Sequence, residues 1–541
     1  MRRKASVYIH RGCVAHTAVV PTVKAAPRLR QTLKAAEADV LWMSAGYPAD
    51  LAHAVATASR RQALNHFPGM GDVCSKKGTA ELMAAMGKLY PGAFDFVPRT
   101  FALGDDEAAF LAAARAEPRT TWIVKPDLGS QGEGIHLVSS TRPEDALQYA
   151  PAVVQEYIDR PMLLNGFKFD FRVYVLLYGV DPPRAAIYTE GLTRFCTKPY
   201  ARPTARNMHE TFAHLTNYSL NKYSNEYVHE GEADETGAGE SKRTMGAVFA
   251  ELEELGVDCD DLWDQIHTIA ARTVWAMSAP LSASYNTAFG LPPRDRTSLH
   301  RQHGPQSFQV LGLDVIVDED GRAWLLEING GPSMRTDAEL ATETPGVYVS
   351  VPSEIDRGIK EGLLESVFDV VLARRRWRGR ESWSELCMRD ELGQDEDEDE
   401  DEEDEEDEGD DEEDEGDEEE EEEEEEKAYL ESLTLDEIED PRLPHRIAAV
   451  FRHYCGVRGG GGHMSGTRFA AMLRQGELVE GEGRTTRVAS LELFFQRCVR
   501  DRGAMDMLGF LRLCIELPEL LGRGSGRTAV TDLIAQLEAH M

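Results

Sequence analysis

Asp314, Glu327 and Asn329 interrupt two otherwise apolar runs, and that interruption is the strongest chemical signal in the chain. The segment from Phe308 to Asn329 reads as two β-strands joined by a turn containing Asp320 and Gly321. Side chains alternate faces along a strand, so Glu327 and Asn329 share one face. With the turn centred on 319 and 320, or on 320 and 321, Asp314 lies on that face as well. Three hard oxygen donors with room for water and phosphate oxygens suit magnesium, which rarely takes a complete protein cage. Without a ligand, these carboxylates would be buried at considerable cost.

Two further segments have the character of a polyphosphate site. Between Trp122 and Val138, two β-like runs flank a loop with Gly129, Gly132 and Gly134, and Lys125 ends the first run. Glycine lets a backbone come close to phosphate oxygens and aim N–H groups at them, and a lysine adds a charge-assisted contact. A strand rather than a helix follows, so the loop suits a flap over the ligand and resembles neither a Walker loop nor a Rossmann turn. A plain hairpin with a flexible tip would look the same in isolation. From Lys168 to Val175, alternation puts Lys168, Asp170 and Arg172 on one face and Phe169, Phe171 and Val173 on the other. A solvated salt-bridge ladder is the alternative for that polar face. Val153 to Ile158 reads as a strand entering a connection whose backbone could pair with a base edge.

A mixed body must hold these groups. Over the first 390 residues, short β-like runs such as SVYI at Ser6 and VLWM at Val40 alternate with amphipathic stretches such as TAELMAAMGKLY from Thr79. This predicts an α/β (α+β) enzyme, and a length of 541 residues predicts several subdomains. Most of the net charge of −38 comes from residues 395–426, which contain 30 Asp and Glu. Without that block, 66 acidic side chains face 58 Lys and Arg, a net charge of −8. Such a block cannot bury apolar surface against its chain entropy, so disorder is expected. Beyond it, HRIAAVFRHY, GTRFAAMLRQ, VASLELFFQRCV and MDMLGFLRLCIEL have helical apolar spacing. They predict a small separate domain, weakly EF-hand-like but lacking a calcium loop.

The same composition narrows the function classes. No run of eighteen apolar residues predicts membrane insertion, and the basic start MRRKASVYIH lacks the apolar segment of a secretory signal. Eight scattered cysteines without metal-like spacing suit free thiols in a reducing compartment. No basic stripe interleaved with aromatics points to nucleic acid.

Taken in order, these segments resemble the tubulin–tyrosine ligase-like family over most of residues 60 to 355. The resemblance runs through Asn65-His-Phe-Pro-Gly69, Lys125 with its glycine loop, Gln155-Glu-Tyr-Ile158, Lys168-Phe-Asp-Phe-Arg172, Glu190-Gly-Leu-Thr-Arg194, His214-Leu-Thr-Asn-Tyr-Ser-Leu-Asn-Lys222 and Glu327-Ile-Asn329. It implies an ATP-grasp body that uses ATP and Mg2+. ATP contacts would come from Lys77, Lys125, Gln131, Gly132, Gln155, Glu156, Tyr157, Ile158, Lys168, Phe169, Asp170, Thr216 and Asn217. Asp314, Glu327 and Asn329 would hold magnesium. Arg194, Tyr218, Ser219 and Lys242 match positions that hold the incoming amino acid in glutamate-adding members. The pattern departs at Gly330 and Gly331, where INGGPSM replaces asparagine- or histidine-containing forms.

The resemblance further implies an ATP-dependent polyglutamylase, closest to the branch that lengthens chains on α-tubulin. In the family scheme the γ-phosphoryl group of ATP passes to an acceptor carboxylate on a tubulin tail, and the amine of free L-glutamate attacks the acyl phosphate. Arg172, Lys125 and Glu327 would be catalytic, with Arg172 on the developing oxyanion. Arg194 suits an α-carboxylate and Lys242 a side-chain carboxylate. The competing readings are a glycylase, a glutamylase of other acidic proteins, and an inactive microtubule-binding scaffold. The expected divisions are 1–110, 111–180 and 181–356 for the ligase body, 357–390 for a basic helical microtubule-binding extension, 391–427 for the acidic linker and 428–541 for the helical domain. The basic run Arg374-Arg-Arg-Trp-Arg378 with Arg380 suits an acidic microtubule surface. The expectation is a monomer in the cytoplasm and on the cytoskeleton, with cilium, axoneme or basal body as candidate places. The nine glutamates Glu418 to Glu426 suggest either a spacer or a pseudosubstrate.

Overall fold

The structure, a computed structural model, describes residues 3–14, 17–127, 132–181, 183–231, 239–289, 306–341, 348–373 and 383–385, then 442–455, 464–465, 468–469, 472–473, 478, 504–505, 507–521 and 525–539. The acidic block, the basic run at 374–380, and Gln131 lie outside the described residues.

Among the described residues, three sheets of four or more strands make up most of the body. The first is parallel, in the spatial order Gln306–Ser307, Ala63–Leu64, Val40–Trp42, Ala5–Ile9, Leu29–Thr32. A small antiparallel sheet follows, ordered Thr100–Ala102, Ala152–Glu156, Thr121–Pro126, His136–Ser139. The largest is antiparallel and runs Lys242–Thr244, Pro183–Phe195, Phe167–Val180, Gln309–Val317, Ala323–Asn329, with Leu163–Leu164 and Trp383–Glu385 added at its margins. These groupings cut across the expected divisions. The small sheet begins at Thr100, ahead of 110, and the strand before 180 belongs with those after it.

The two faces of the large sheet explain how a site can exist on it. Phe169, Phe171, Val173, Val175 and Leu177 pack with Trp275 and Ala279 of the 30-residue helix Cys259–Ala288 in one apolar cluster. On the opposite face, Tyr174, Leu176, Ala186, Tyr188 and Val310 join a second cluster with the first sheet and with Leu363, Val367 and Phe368 of helix Glu354–Ala373. The cover ends there, so the same face continues as Lys168, Asp170 and Arg172 beyond the roof. Alternation dictates the two faces. Partial cover decides which part of one face stays open to a ligand.

Two segments differ from expectation. Helix Glu354–Ala373 buries Ile359, Leu363, Leu364, Val367 and Phe368, so the start of the predicted extension is part of the body's core. The C-terminal helices Leu443–Cys455, Met507–Leu520 and Arg527–Glu538 bury Ile447, Phe451, Phe510, Leu513 and Ile534 in the same cluster as the long helix, rather than around a core of their own. The apolar spacing of HRIAAVFRHY and MDMLGFLRLCIEL marks faces that are buried here, VASLELFFQRCV and most of GTRFAAMLRQ lie outside the described residues, and periodicity carries no record of which surface covers a face.

The small sheet has a separate core centred on Trp122, which is fully buried and meets Phe101 and Phe110 edge-on at 5.8 and 5.4 Å. Its indole N–H donates to Ser140 Oγ at 2.7 Å. Trp122→Ala should cost about 3–5 kcal/mol, concentrated in this unit because its core is small. Hydrogen exchange should show lost protection in Thr121–Pro126 and Ala152–Glu156, with Cys259–Ala288 unchanged.

Candidate functional site

A cleft opens between the small sheet and the uncovered half of the large one. Lys125, Gly132, Gln155 to Ile158, Lys168, Asp170, Arg194, Thr216, Asn217, Asp314 and Glu327 all line it, as do Lys76, His214 and Ile316. Groups as far apart in the chain as Lys76 and Glu327 thus share one space.

The Asp314 and Glu327 pairing depends on an irregularity. Near the turn, Val315 pairs with Leu325 and Val317 with Ala323, a register that would set Asp314 opposite Leu326. A β-bulge at this point restores Asp314 to Glu327, and Gly312 to Asn329. The turn therefore follows neither of the two expected centrings. Leu325 stays in the core while Glu327 faces the cleft, and the Leu326 carbonyl accepts from Lys125 Nζ at 3.3 Å. Lys125 also donates to Gln155 Oε1 at 2.7 Å. Burial pushes the Lys125 ammonium below its ordinary value, opposed by the charge of Glu327.

Asp314 is gripped from two sides. Arg172 reaches it through two bonds, of 2.5 and 3.1 Å, and Arg194 approaches it at 2.9 Å. Arg194 also makes bonds of 2.8 and 2.6 Å to Asp170, whose second oxygen accepts from the Thr216 hydroxyl at 2.7 Å. Burial would raise the Asp314 carboxyl, but the guanidiniums of Arg172 and Arg194 prevail and hold it at about 2. Asp314 and Glu327 fit a divalent cation as directly opposed hard oxygen donors, and two carboxylates with phosphate oxygens suffice for magnesium. Asn329 sits one pair further along, with its amide donating to the Gly312 carbonyl at 3.3 Å. Among the described residues, no group of three or more His, Cys, Asp or Glu side chains forms a metal cage.

Several expected contacts are placed differently. Lys77 is turned from the cleft: its Nζ pairs with Asp105 at 2.6 Å and its N–H donates to Asp127 Oδ1 at 3.1 Å. Lys76 is the lysine that lines the cleft. Phe169 packs against Phe171 and Phe195 in the core, so its side chain cannot meet a nucleotide there. Both Arg172 bonds go to Asp314, so its guanidinium is committed to that carboxylate rather than free to meet an oxyanion in this arrangement.

Gly132 has φ +84° and brings the loop tip against the 215–221 segment, where an added Cβ would lie 2.7 Å from Leu220. Lys168 is buried, donates to Tyr157 Oη and to the His214 carbonyl at 2.9 Å each, and lies over the Tyr157 ring at 4.2 Å. Burial lowers it from 10.5 to about 8.

Beside the cleft is a second cationic group. Lys242 is the cross-strand partner of Arg194, sits 4.9 Å from the Tyr218 ring and pairs with the buried Asp356. Lys360, one helical turn beyond Asp356, pairs with it at 2.7 Å and donates to the Arg335 carbonyl at 2.7 Å. Tyr218 Oη accepts from the Glu339 N–H at 3.1 Å, and Ser219 is half-buried in the next position. Lys360 and Asp356 were missed because an Asp and a Lys four apart on a helix look like an ordinary surface pair.

Lys168 makes ligand binding pH-dependent in a definite sense. Phosphate charge would stabilise its protonated form, so binding of a phosphate-bearing ligand should take up a proton above pH 8, and its affinity should fall by up to about tenfold per pH unit there. Titration calorimetry in buffers of different ionisation enthalpy measures that uptake, and Lys168→Met should abolish it. Stability has the opposite sign. Below pH 8 the group is charged in both states, whereas from 8 to 10.5 only the unfolded chain keeps the proton, so the ligand-free fold gains from this residue as pH rises through that window.

A family model described as the tubulin-tyrosine ligase family matches residues 55–345, which include every cleft residue named above. Human tubulin polyglutamylase TTLL11 is 38% identical over 328 residues, 59% of this chain and 44% of its own length. Tubulin polyglutamylase ttll6 of Danio rerio is 38% identical over 284 residues, 52% of this chain and 34% of its own. Tubulin polyglutamylase ttll-11 of Caenorhabditis elegans is 38% identical over 288 residues, 52% and 39%. The chain spans less than half the length of these relatives. With its cleft residues falling inside the matched region, this chain belongs to the tubulin-tyrosine ligase family.

Proposed function

We propose that the chain is an ATP-dependent polyglutamylase of the ATP-grasp type that joins free L-glutamate to glutamate residues of tubulin tails. One observation carries this reading: the Lys76, Lys125 and Lys168 cations and the Asp314–Glu327 carboxylates share a cleft whose wall continues, through Arg194, into the Lys242–Asp356–Lys360 group. A polyphosphate suits the first set and a small dicarboxylate with an amine suits the second. The names of the relatives support tubulin as acceptor and glutamate as the added residue. The basic run after Ala373 supports docking on an acidic microtubule surface, which would place the enzyme on the cytoskeleton, including axonemes or basal bodies.

In the proposed reaction, an acceptor carboxylate oxygen attacks the γ-phosphorus of ATP and ADP leaves. The glutamate amine then attacks the acyl carbon, phosphate departs, and the amine loses its proton. Lys76, Lys125 and Lys168 neutralise phosphate charge, and Gly132 lets the loop close over it. Asp314 and Glu327, with Asn329 next to them, would hold magnesium, which when bound screens phosphate charge. Arg172 acts through Asp314, fixing that carboxylate in place. To receive an α-carboxylate, Arg194 exchanges one of its two present carboxylate partners for the substrate, and Lys242 with Lys360 meets the side-chain carboxylate.

Purified chain with tubulin, ATP and labelled glutamate should give ATP-dependent incorporation, and Glu327→Gln should lower it at least a hundredfold with the fold intact. Mass spectrometry of the tails identifies the added residue; added glycine, or incorporation without ATP, would sink the proposal. Lys242→Ala should raise KM for glutamate about tenfold or more, equivalent to roughly 1.4 kcal/mol, and leave KM for ATP unchanged. Equal changes in both constants would argue against its role in amino-acid binding.

A further inference from the structure

The C-terminal helices lie on the rear of the elements that form the cleft. Leu443–Cys455 packs on the long helix Cys259–Ala288, where Trp275 and Ala279 are buried and Ser278 Oγ lies 3.2 Å from His445 Nε2. Met507–Leu520 packs along helix Lys76–Leu89, and Ala80, Ala84, Lys88, Arg512, Ile515 and Glu516 line the seam between them. The first turn of that helix holds Lys76 in the cleft.

A polar path runs beside this apolar one. Arg512 is 3.7 Å from Asp106, whose backbone carbonyl accepts the first bond of helix Glu107–Ala116 and whose carboxylate accepts from the Ala102 N–H at 3.3 Å. The preceding residue, Asp105, pairs with Lys77 at 2.6 Å. The Lys77 N–H is in turn bonded to Asp127, two residues past Lys125. The Asp105–Asp106 corner therefore touches both the C-terminal helices and the first turn that aims Lys76.

We propose that helices Leu443–Cys455 and Met507–Leu520 act as a brace in cis behind helix Lys76–Leu89, and that Arg512 is a positioning residue for nucleotide binding, acting through Asp106 and the Asp105–Lys77 pair on Lys76. The partner that covers the rear face of this ligase body is its own C-terminal segment, and its role is to fix a cleft cation. The proposal rests on the nucleotide reading of the cleft and is independent of which amino acid is added.

The test uses the full chain. Arg512 also pairs with Glu516 at 3.2 Å and Asp106 accepts from the Ala102 N–H, so the melting temperature of each variant is measured alongside binding. Arg512→Glu should weaken ADP binding and raise KM for ATP about three- to tenfold, with KM for glutamate unchanged and kcat within twofold. The double variant Arg512→Glu with Asp106→Arg should restore both. A merely structural role would alter kcat and both KM values together, and the swap would not rescue nucleotide affinity; either result overturns the proposal. Should Arg512→Glu melt well below wild type, Arg512→Gln takes its place, with a smaller rise in KM for ATP expected and no rise counting against the brace. Wild type that binds no ADP would overturn the nucleotide reading and the brace with it, whereas normal wild-type binding unmoved by these variants would overturn the brace alone.

Discussion

Asp314 between Arg172 and Arg194 is the interaction on which the rest of the site depends. It sits in a strand whose other side chains are almost all apolar, and burial alone would drive its carboxyl toward the neutral form. Two guanidiniums reverse that outcome. Removing one partner of such a pair costs about 3–5 kcal/mol, because the remaining charge is left buried, whereas the complete set adds little net stability. The arrangement is thus better understood as fixing register and charge at one place than as holding the fold together. Arg172 faces Asp314 and Arg194 faces Asp170 across neighbouring strands, so any slip of the sheet would separate all four.

Stability comes instead from the apolar faces around this polar patch. One side of the large sheet is covered along its length by the Cys259–Ala288 helix; the other is covered only where the first sheet and helix Glu354–Ala373 reach. Beyond that edge the same strands carry lysine, aspartate and arginine. The small sheet, with its own core around Trp122, faces the exposed patch across the cleft and contributes Lys125 and the glycine loop.

Much of this was legible beforehand. Lys168, Asp170 and Glu327 were legible because strand alternation and the spacing of polar residues within apolar runs are local properties, whereas Gln155 to Ile158 were named from resemblance. Phe169 was already on the apolar face by that alternation, and its nomination as a nucleotide contact came from resemblance alone. Lys77 and Lys76 could not be separated in the same way. They are adjacent on one helical turn, and the choice between them follows from Asp105 and Asp127, which come from other parts of the chain.

The sequence by itself determined which strands carry polar faces, where the glycine loop lies, that the body is mixed α/β, and which family the segments resemble. The first three follow from periodicity or composition within a few dozen residues, whereas the resemblance rests on motifs spread over residues 60 to 355. Only the tertiary structure decided that a bulge at Leu326 turns Glu327 toward Asp314, that Arg172 is committed to that carboxylate, that Lys360 joins Lys242, and that the C-terminal helices share the body's core. Those outcomes depend on register and on which surfaces meet. Local patterning specifies the face of an element, but pairing across the fold selects the partner that face receives.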